Sequence, residues 1–520
     1  MKNNVPLWSR PFGLPGLLGH MFVGQPILAA AAFQAALFRR ARTFAPSRSR
    51  LQAGSNQSWL PHVAVTLALV LCGCTVGPNY RHPTVSLPDR YRGGQPASAT
   101  SLADTKFSEL FHDDTLTQLL NKSLQNNFDV RASAERILEA RAQLGITRAN
   151  QYPFLDAQAS FTAVKDSAIG SFKYPAGTPL WISYTQAGAS LSWEIDIWGR
   201  YRRLTEAARA QYAATEEARR AVIVSLVGDV MTTYFTLLEQ DLELDIANHT
   251  RDVGNDNLRL VNLRHERGAV TALDVHQAEQ LLYTATAQIE AVKRNIGQTE
   301  DALSLLLGET PHDIVRDRKL EQVTAPADLP AGLPSSLIAR RPDIMQAEEL
   351  LKASNAQIGA ARALYFPNIS LTAFAGGQSQ DLLQLFGSPA SMLSIGPSAL
   401  QPIFHAGQIK NTVRLSEAQE REYLIQYQKT IYGALREVSD ALIGRDRWRA
   451  QRVEEEKLVN ALNESVRLST LRYKGGLDSY LQVLDAERNL FAGQLVLSQL
   501  RLQELLSVVN LYRALGGGWS

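Results

Sequence analysis

The sequence predicts a mixed α/β membrane protein. Four short strands of each chain join strands of other copies in a β-barrel, and very long helices continue it outside the membrane. Three observations predict this. Proline leaves two long gaps, four segments alternate apolar and polar residues, and the chain repeats itself at a spacing near 210 residues.

Composition sets the limits first. At 520 residues, 45% hydrophobic and 20% charged, the chain is neither disordered nor short of core-forming residues. Mean hydropathy is −0.15, which excludes a polytopic helical membrane protein but not a β-barrel, whose alternating strands leave little hydropathy signal. The formal charge of +2 makes no case for nucleic acid, and two cysteines cannot by themselves form a disulfide framework or a zinc site.

Residues 1–73 read as an address. No Asp or Glu precedes Asp89, and Val63–Cys72 is a ten-residue apolar run, the length of a signal-peptide h-region and too short to span a bilayer. Leu71-Cys72-Gly73-Cys74 then resembles a bacterial lipobox, with Cys74 as the lipidated residue. Cys72 does not fit, because Leu71 would be the residue before it. Thr75 rather than Asp after the cysteine favours sorting to the outer membrane. Residues 1–50 lie too far upstream for a signal peptide; a transit peptide is one reading, and a start codon assigned too early is the favoured one. Seven basic and no acidic residues lie before Cys74, so the chain from Cys74 onward is formally −5.

Proline places the rods. None of the 22 prolines lies between Pro179 and Pro311 or after Pro402, and proline breaks helices. Both gaps carry helical periodicity: Val227, Met231, Tyr234 and Leu238 in one, and Leu424, Tyr427, Ile431, Leu435, Val438 and Leu442 in the other. A helix from Gly199 to about Arg267 would reach about 100 Å.

The strands come in pairs. Leu155–Ala163, Ala187–Ile197, Ile369–Ala375 and, more weakly, Leu393–Ile395 alternate with polar neighbours, with loops at about 165–182 and 377–392. Four strands cannot close a barrel, so their edges require other copies of the chain: two copies would give eight strands and three would give twelve. Glu194 and Asp196 share one strand face, and the alternation makes them lumen-lining or strand-end residues rather than a catalytic pair. His405 reads as structural. Trp181, Tyr184, Trp193 and Trp198 read as an interfacial girdle or as ordinary packing. No nucleotide, metalloprotease or serine-hydrolase motif is present, so no enzyme, metal or cofactor is expected.

The chain is a duplication. Asp129–Pro153 aligns on Asp343–Pro367 at a shift of 214, and Gly199/Gly407, Arg264/Arg472 and Gly268/Gly476 align at 208. The resulting domains are 1–73, an N-terminal extension and signal; 74–128, a lipidated tail and equatorial segment; 129–310, a first repeat; 311–342, a linker; and 343–520, a second repeat. Each repeat runs helix, two strands, long helix, turn, long helix.

These residues resemble the TolC-like outer-membrane efflux proteins, in their lipoprotein (NodT-type) branch. The resemblance rests on Cys74-Thr-Val-Gly-Pro-Asn-Tyr80 with Pro83, Ser192-Trp-Glu-Ile-Asp-Ile-Trp-Gly-Arg200, Arg341-Pro-Asp343 and two Arg-x-x-x-Gly turns, over about residues 74–515. It implies a homotrimer with a twelve-stranded outer-membrane barrel and a periplasmic helical tunnel. It further implies a passive exit duct for drugs or other toxic small molecules, driven by an inner-membrane transporter of the resistance-nodulation-division type through a periplasmic membrane-fusion adaptor. A conduit for type I protein secretion is the alternative of the same fold, and a soluble coiled-coil adaptor the third reading. Cys74 would carry diacylglyceryl and N-acyl groups. The turns at Arg264–Gly268 and Arg472–Gly476 would form the closed periplasmic tip and dock the adaptor, with Gly268 and Gly476 in left-handed helix ends. Asp274, Tyr473 and Asp478 match gate positions. Three-fold symmetry would make each acid a ring that selects cations; the competing reading is that the acids cap helices.

Overall fold

A computed structural model describes residues 75–93, 101–170, 174–324 and 330–518. All of them belong to one compact unit, Ala68–Ser520. Cys74, the expected lipidation site, lies outside the described residues.

After an extended tail and a short helix at Phe107–Leu110 come α1 (Asp114–Asn126) and α2 (Phe128–Ala149). The first strand pair follows, β1 (Phe154–Lys165) and β2 (Trp181–Glu194), and then α3 (Arg200–Glu266) and α4 (Ala272–Leu306). A short helix at Pro334–Arg340 leads into α5 (Pro342–Ala363), β3 (Asn368–Ser379), β4 (Ser391–Leu400), α6 (Gln408–Lys474) and α7 (Tyr480–Ala514).

The duplication is literal in the helix lengths. α2 and α5 have 22 residues each, α3 and α6 have 67, and α4 and α7 have 35. At 1.5 Å per residue the 67-residue helices run about 100 Å. Both begin after a left-handed glycine, Gly199 at φ 77° and Gly407 at φ 83°, where the chain turns sharply out of the strand region.

The four strands form one antiparallel sheet in chain order, β1-β2-β3-β4. Its register sorts the side chains. Leu155 faces Leu191, which faces Ala373, which faces Ile395, so one face carries an apolar row across the whole sheet. The other face carries Asp156, Ser190 and Ser394 in one row, interrupted by Phe374. Phe374 is buried because its ring covers the cross-strand pair Gly188 and Gly376; a Cβ on either glycine would come within 2.8 Å of the ring edge. Strands of 10–14 residues tilted as in a barrel cross about 25 Å of hydrocarbon. Leu155, Phe161, Leu393 and Ile395 are exposed on the apolar face, as lipid-facing residues must be.

One expectation is corrected. The alternation continues through Ile197, yet β2 ends at Glu194. Asp196 instead accepts the Arg202 backbone N–H at 2.8 Å and so caps the entry to α3, while Glu194 accepts from Arg200 (3.1 Å) and Tyr201 (2.9 Å). Both acids are strand-end residues. Of the four aromatics, Tyr184 lies on the polar face of the sheet. Trp193 and Trp198 donate their indole N–H groups to Gln151 O (3.1 Å) and Pro367 O (2.9 Å).

The main core lies at mid-helix height. Val227, Met231, Tyr234 and Leu238 of α3 and Tyr427, Ile431, Val438 and Leu442 of α6 are buried there with the C-terminal part of α7. The stretch of α3 apolar enough to pass for a membrane span is more than half buried inside the protein.

Candidate functional site

The two helix–helix turns form the end of the molecule remote from the strands. In the first, the Gly268 N–H donates to His265 O (2.8 Å) and the Ala269 N–H to Arg264 O (2.9 Å). In the second, Gly476 donates to Tyr473 O (3.0 Å) and Leu477 to Arg472 O (2.9 Å). Both are Schellman caps, and both require a left-handed residue at the glycine. Gly268 has φ 73° and Gly476 φ 74°. The Arg-x-x-x-Gly spacing therefore has a backbone cause: the arginine carbonyl, four residues before the glycine, is the acceptor that closes the cap.

The arginine side chains have different work. Arg264 lies with its guanidinium carbon 4.3 Å from the Tyr473 ring centre and reaches Tyr473 O at 3.5 Å, so it joins the first turn to the second. Arg472 holds Asp478 in a two-pronged ion pair at 2.5 and 3.1 Å. The guanidinium keeps the Asp478 carboxyl below the usual carboxylate range.

Asp274 caps α4. Its Oδ2 accepts from the Thr271 N–H and hydroxyl, both at 2.8 Å, completing a capping box. Within one chain it does not meet Tyr473, whose hydroxyl is buried without a hydrogen-bond partner. The chain thus brings Arg264 to Tyr473 and Arg472 to Asp478, and leaves Asp274 at a helix start.

Sequence reasoning missed the groups that pack beneath the turns around Tyr473. Tyr473 and Tyr480 meet with ring centres 5.5 Å apart inside a small core with Val261, Leu281 and Leu484. Glu487 is buried two turns further along α7 and accepts from Asn257 of α3 at 2.6 Å. Burial pushes its carboxyl up to about 7, against the opposing pull of the Asn257 hydrogen bond. Higher up, Glu239 accepts from Ser498 at 2.9 Å and is likewise pushed by burial to about 7. The available signal was that Tyr480, Leu484, Glu487 and Phe491 share one helical stripe. A glutamate on a helix ordinarily reads as solvated.

The tail after Cys74 was also richer than its motif. Val76 donates to Trp198 O at 3.1 Å, and a Cβ on Gly199 would meet Thr75 at 2.8 Å. Buried Arg203 donates to Val76 O (3.2 Å), Gly77 O (3.4 Å) and Asn79 Oδ1 (2.7 Å). The residues following Cys74 are therefore fixed where β2 passes into α3.

Known proteins share the sequence and the fold. The family model described as outer membrane efflux protein matches twice, at residues 119–309 and 333–517. The chain is 39% identical over 461 residues to the solvent efflux pump outer membrane protein SrpC of Pseudomonas putida, covering 87% of this chain and 97% of that one. It is 34% identical to the cation efflux system protein CusC of Escherichia coli O6:H1, again over 87% and 97%. The structure matches the open-state MtrE outer membrane channel of Neisseria gonorrhoeae with a TM-score of 0.77 and 29% identity, over 86% and 99%. The fold class expected from the sequence, a trimeric barrel with four strands per chain and a long helical continuation, is that of these channels. The relatives are efflux proteins, which decides against the secretion conduit. The chain belongs to the outer membrane efflux protein family and is an outer-membrane efflux channel.

Proposed function

We propose that this channel is the passive exit duct of a tripartite pump. An inner-membrane transporter of the resistance-nodulation-division type would drive it through a periplasmic membrane-fusion adaptor, and small toxic compounds would be the cargo. The observation that carries this is the pair of glycine-capped turns at the end of 67-residue helices, linked by Arg264 and Tyr473. Such turns fix the backbone where the long helices end, and three copies of that end would meet at the mouth of the duct. Arg264, Gly268, Arg472 and Gly476 shape that surface. Asp274, Tyr473 and Asp478 are the gate residues of the assembled trimer, where three-fold symmetry turns each acid into a ring. The names of relatives point to solvents and cations as cargoes in those systems, and selection here belongs to the pump.

The same proposal includes a lipid anchor on Cys74, with residues before it removed. It is supported by the lipobox and by the fixed position of Thr75 and Val76 at the junction of β2 and α3, the height of the membrane face.

A deletion strain tests the first part: susceptibility to solvents and amphiphilic drugs should rise, and unchanged susceptibility to all of them would sink it. For the gate, Asp274→Ala with Asp478→Ala should leak in planar bilayers, and unchanged conductance would count against it. For the anchor, Cys74→Ala should abolish incorporation of labelled palmitate; a mature wild-type chain containing peptides from residues 1–50 would overturn the assigned processing.

A further inference from the structure

One groove is filled in the first half of the chain and open in the second. In the first, the strap that follows α4 runs back along α3 and α4. The His312 N–H donates to Ser304 Oγ at 3.3 Å, the Ile314 N–H donates to Glu300 Oε1 at 3.2 Å, and Ile314 is buried. Arg316 then bridges the two helices. It holds Asp241 of α3 at 2.6 and 3.0 Å and also Glu300 of α4, while Lys319 pairs with Asp245 at 2.8 Å. A basic segment with one buried apolar residue is thus held by the acids of two helices.

The matching groove lies between α6 and α7, and its charge is reversed. At the shift of 208, Arg449 stands where Asp241 does and Val508 where Glu300 does, while Arg445 and Arg452 replace Leu237 and Leu244. With Arg501 of α7 these arginines line a cavity of about 320 Å³ over a buried floor of Leu320, Val323, Leu505 and Val508. No strap from α7 enters it among the described residues: Gly516 packs on Arg340, and Gly518 on Tyr512 and Val227. The three glutamates of the lining are already committed. Glu504 and Glu456 (2.6 Å) hold Arg452, and Glu321 (2.6 Å) holds Arg501. Arg445 has Asp446 at 4.0 Å. Arg449 is exposed and makes no ion pair or hydrogen bond with any described residue. The cavity therefore has an uncompensated positive edge above an apolar floor.

We infer that the α6–α7 groove docks an extended acidic segment of a partner protein, as the α3–α4 groove holds the basic strap. An apolar side chain of that segment takes the floor, and a carboxylate nearby takes Arg449. Arginine clusters recognise acidic motifs in this way, because the guanidinium fork matches a carboxylate. The chain's own strap has the wrong sign for this groove. The site is also distinct from the helix–helix turns: Arg449 lies about 37 Å along α6 from its end at Lys474, at 1.5 Å per residue. This goes beyond the duct reading and does not depend on the gate.

Peptide binding to the full-length, detergent-solubilised protein tests the site. The probe is a fluorescent peptide of residues 312–318 carrying Arg316→Glu and Arg318→Glu, and the unaltered peptide is its control. By anisotropy the acidic peptide should bind about tenfold tighter than the control, and Arg449→Ala should abolish that preference. Arg449→Asp, a change at an exposed position, should reverse it. Equal binding of the two peptides, or binding indifferent to residue 449, would overturn the site. Competition by acetate as effective as that by unlabelled acidic peptide would leave a simple anion site and overturn the segment. In cells, p-benzoylphenylalanine at position 453, the counterpart of Asp245, should photo-cross-link to a different protein, and Arg449→Asp should remove that adduct. Adducts only between copies of the chain, or none, would overturn the partner.

Discussion

The guanidinium of Arg264 lies 4.3 Å from the ring centre of Tyr473, and this contact joins the turn of the first repeat to that of the second at the end remote from the strands. An exposed cation–π pair contributes about 0.5–1 kcal/mol, and a trimer has three. Arg264→Ala should therefore raise the closed-state leak measurably, while Arg264→Lys, which keeps the charge, should leak less. Single-channel recordings of the two variants check the order; equal leak in both would remove the ring contact from the explanation.

The caps at Gly268 and Gly476 offer a cleaner stability measurement. Nothing lies within 4 Å of a Cβ at either position, so a substitution costs only the left-handed backbone. That cost is about 1–2 kcal/mol for alanine and less for asparagine, which tolerates this region. Gly476→Ala should lower the melting temperature of the detergent-solubilised protein, and Gly476→Asn should recover most of the loss.

Glu487 should make stability fall with pH. Burial pushes its carboxyl up to about 7 in the fold, and unfolding returns it to its ordinary value. The folded state thus holds the extra proton between roughly pH 4.5 and 7, and stability declines across that window. That difference corresponds to about 3 kcal/mol per chain. Glu487→Gln should flatten this part of the profile and raise stability at pH 8, measured by thermal melts at pH 5 and 8. Asp478 behaves oppositely: its carboxyl lies below the usual range, so its contact with Arg472 holds above that range and is lost only in strong acid. Asp478→Asn should leave the pH 5 to 8 profile unchanged in slope.

Arg203 fixes the tail through three acceptors while almost fully buried. Each hydrogen bond to a charged donor contributes about 1.5–3 kcal/mol locally. Arg203→Ala should free the segment between Thr75 and Asn79, and trypsin should then cut at Arg81 or Arg90 under conditions that spare the wild type. Equal protection would show that Thr75 and Val76 hold the tail alone.

Sequence alone determined the rods, the strands and the duplication, because each is written in local periodicity. Proline-free gaps gave the 67-residue helices, period-two alternation gave the two sheet faces, and the 214 and 208 shifts gave equivalent repeats. It also placed Gly268 and Gly476, since a Schellman cap is a local device with a local spacing. It overran β2 into Ile197 because alternation cannot show that Asp196 has turned to cap a helix. Only the tertiary structure decided which polar groups are enclosed. Glu487, Glu239 and Arg203 look like solvated helix residues in the chain, and their burial comes from helices that lie far apart in sequence. The physical reason is the range of the signal: backbone geometry is set by neighbours within a few residues, whereas desolvation is set by whatever the fold brings alongside.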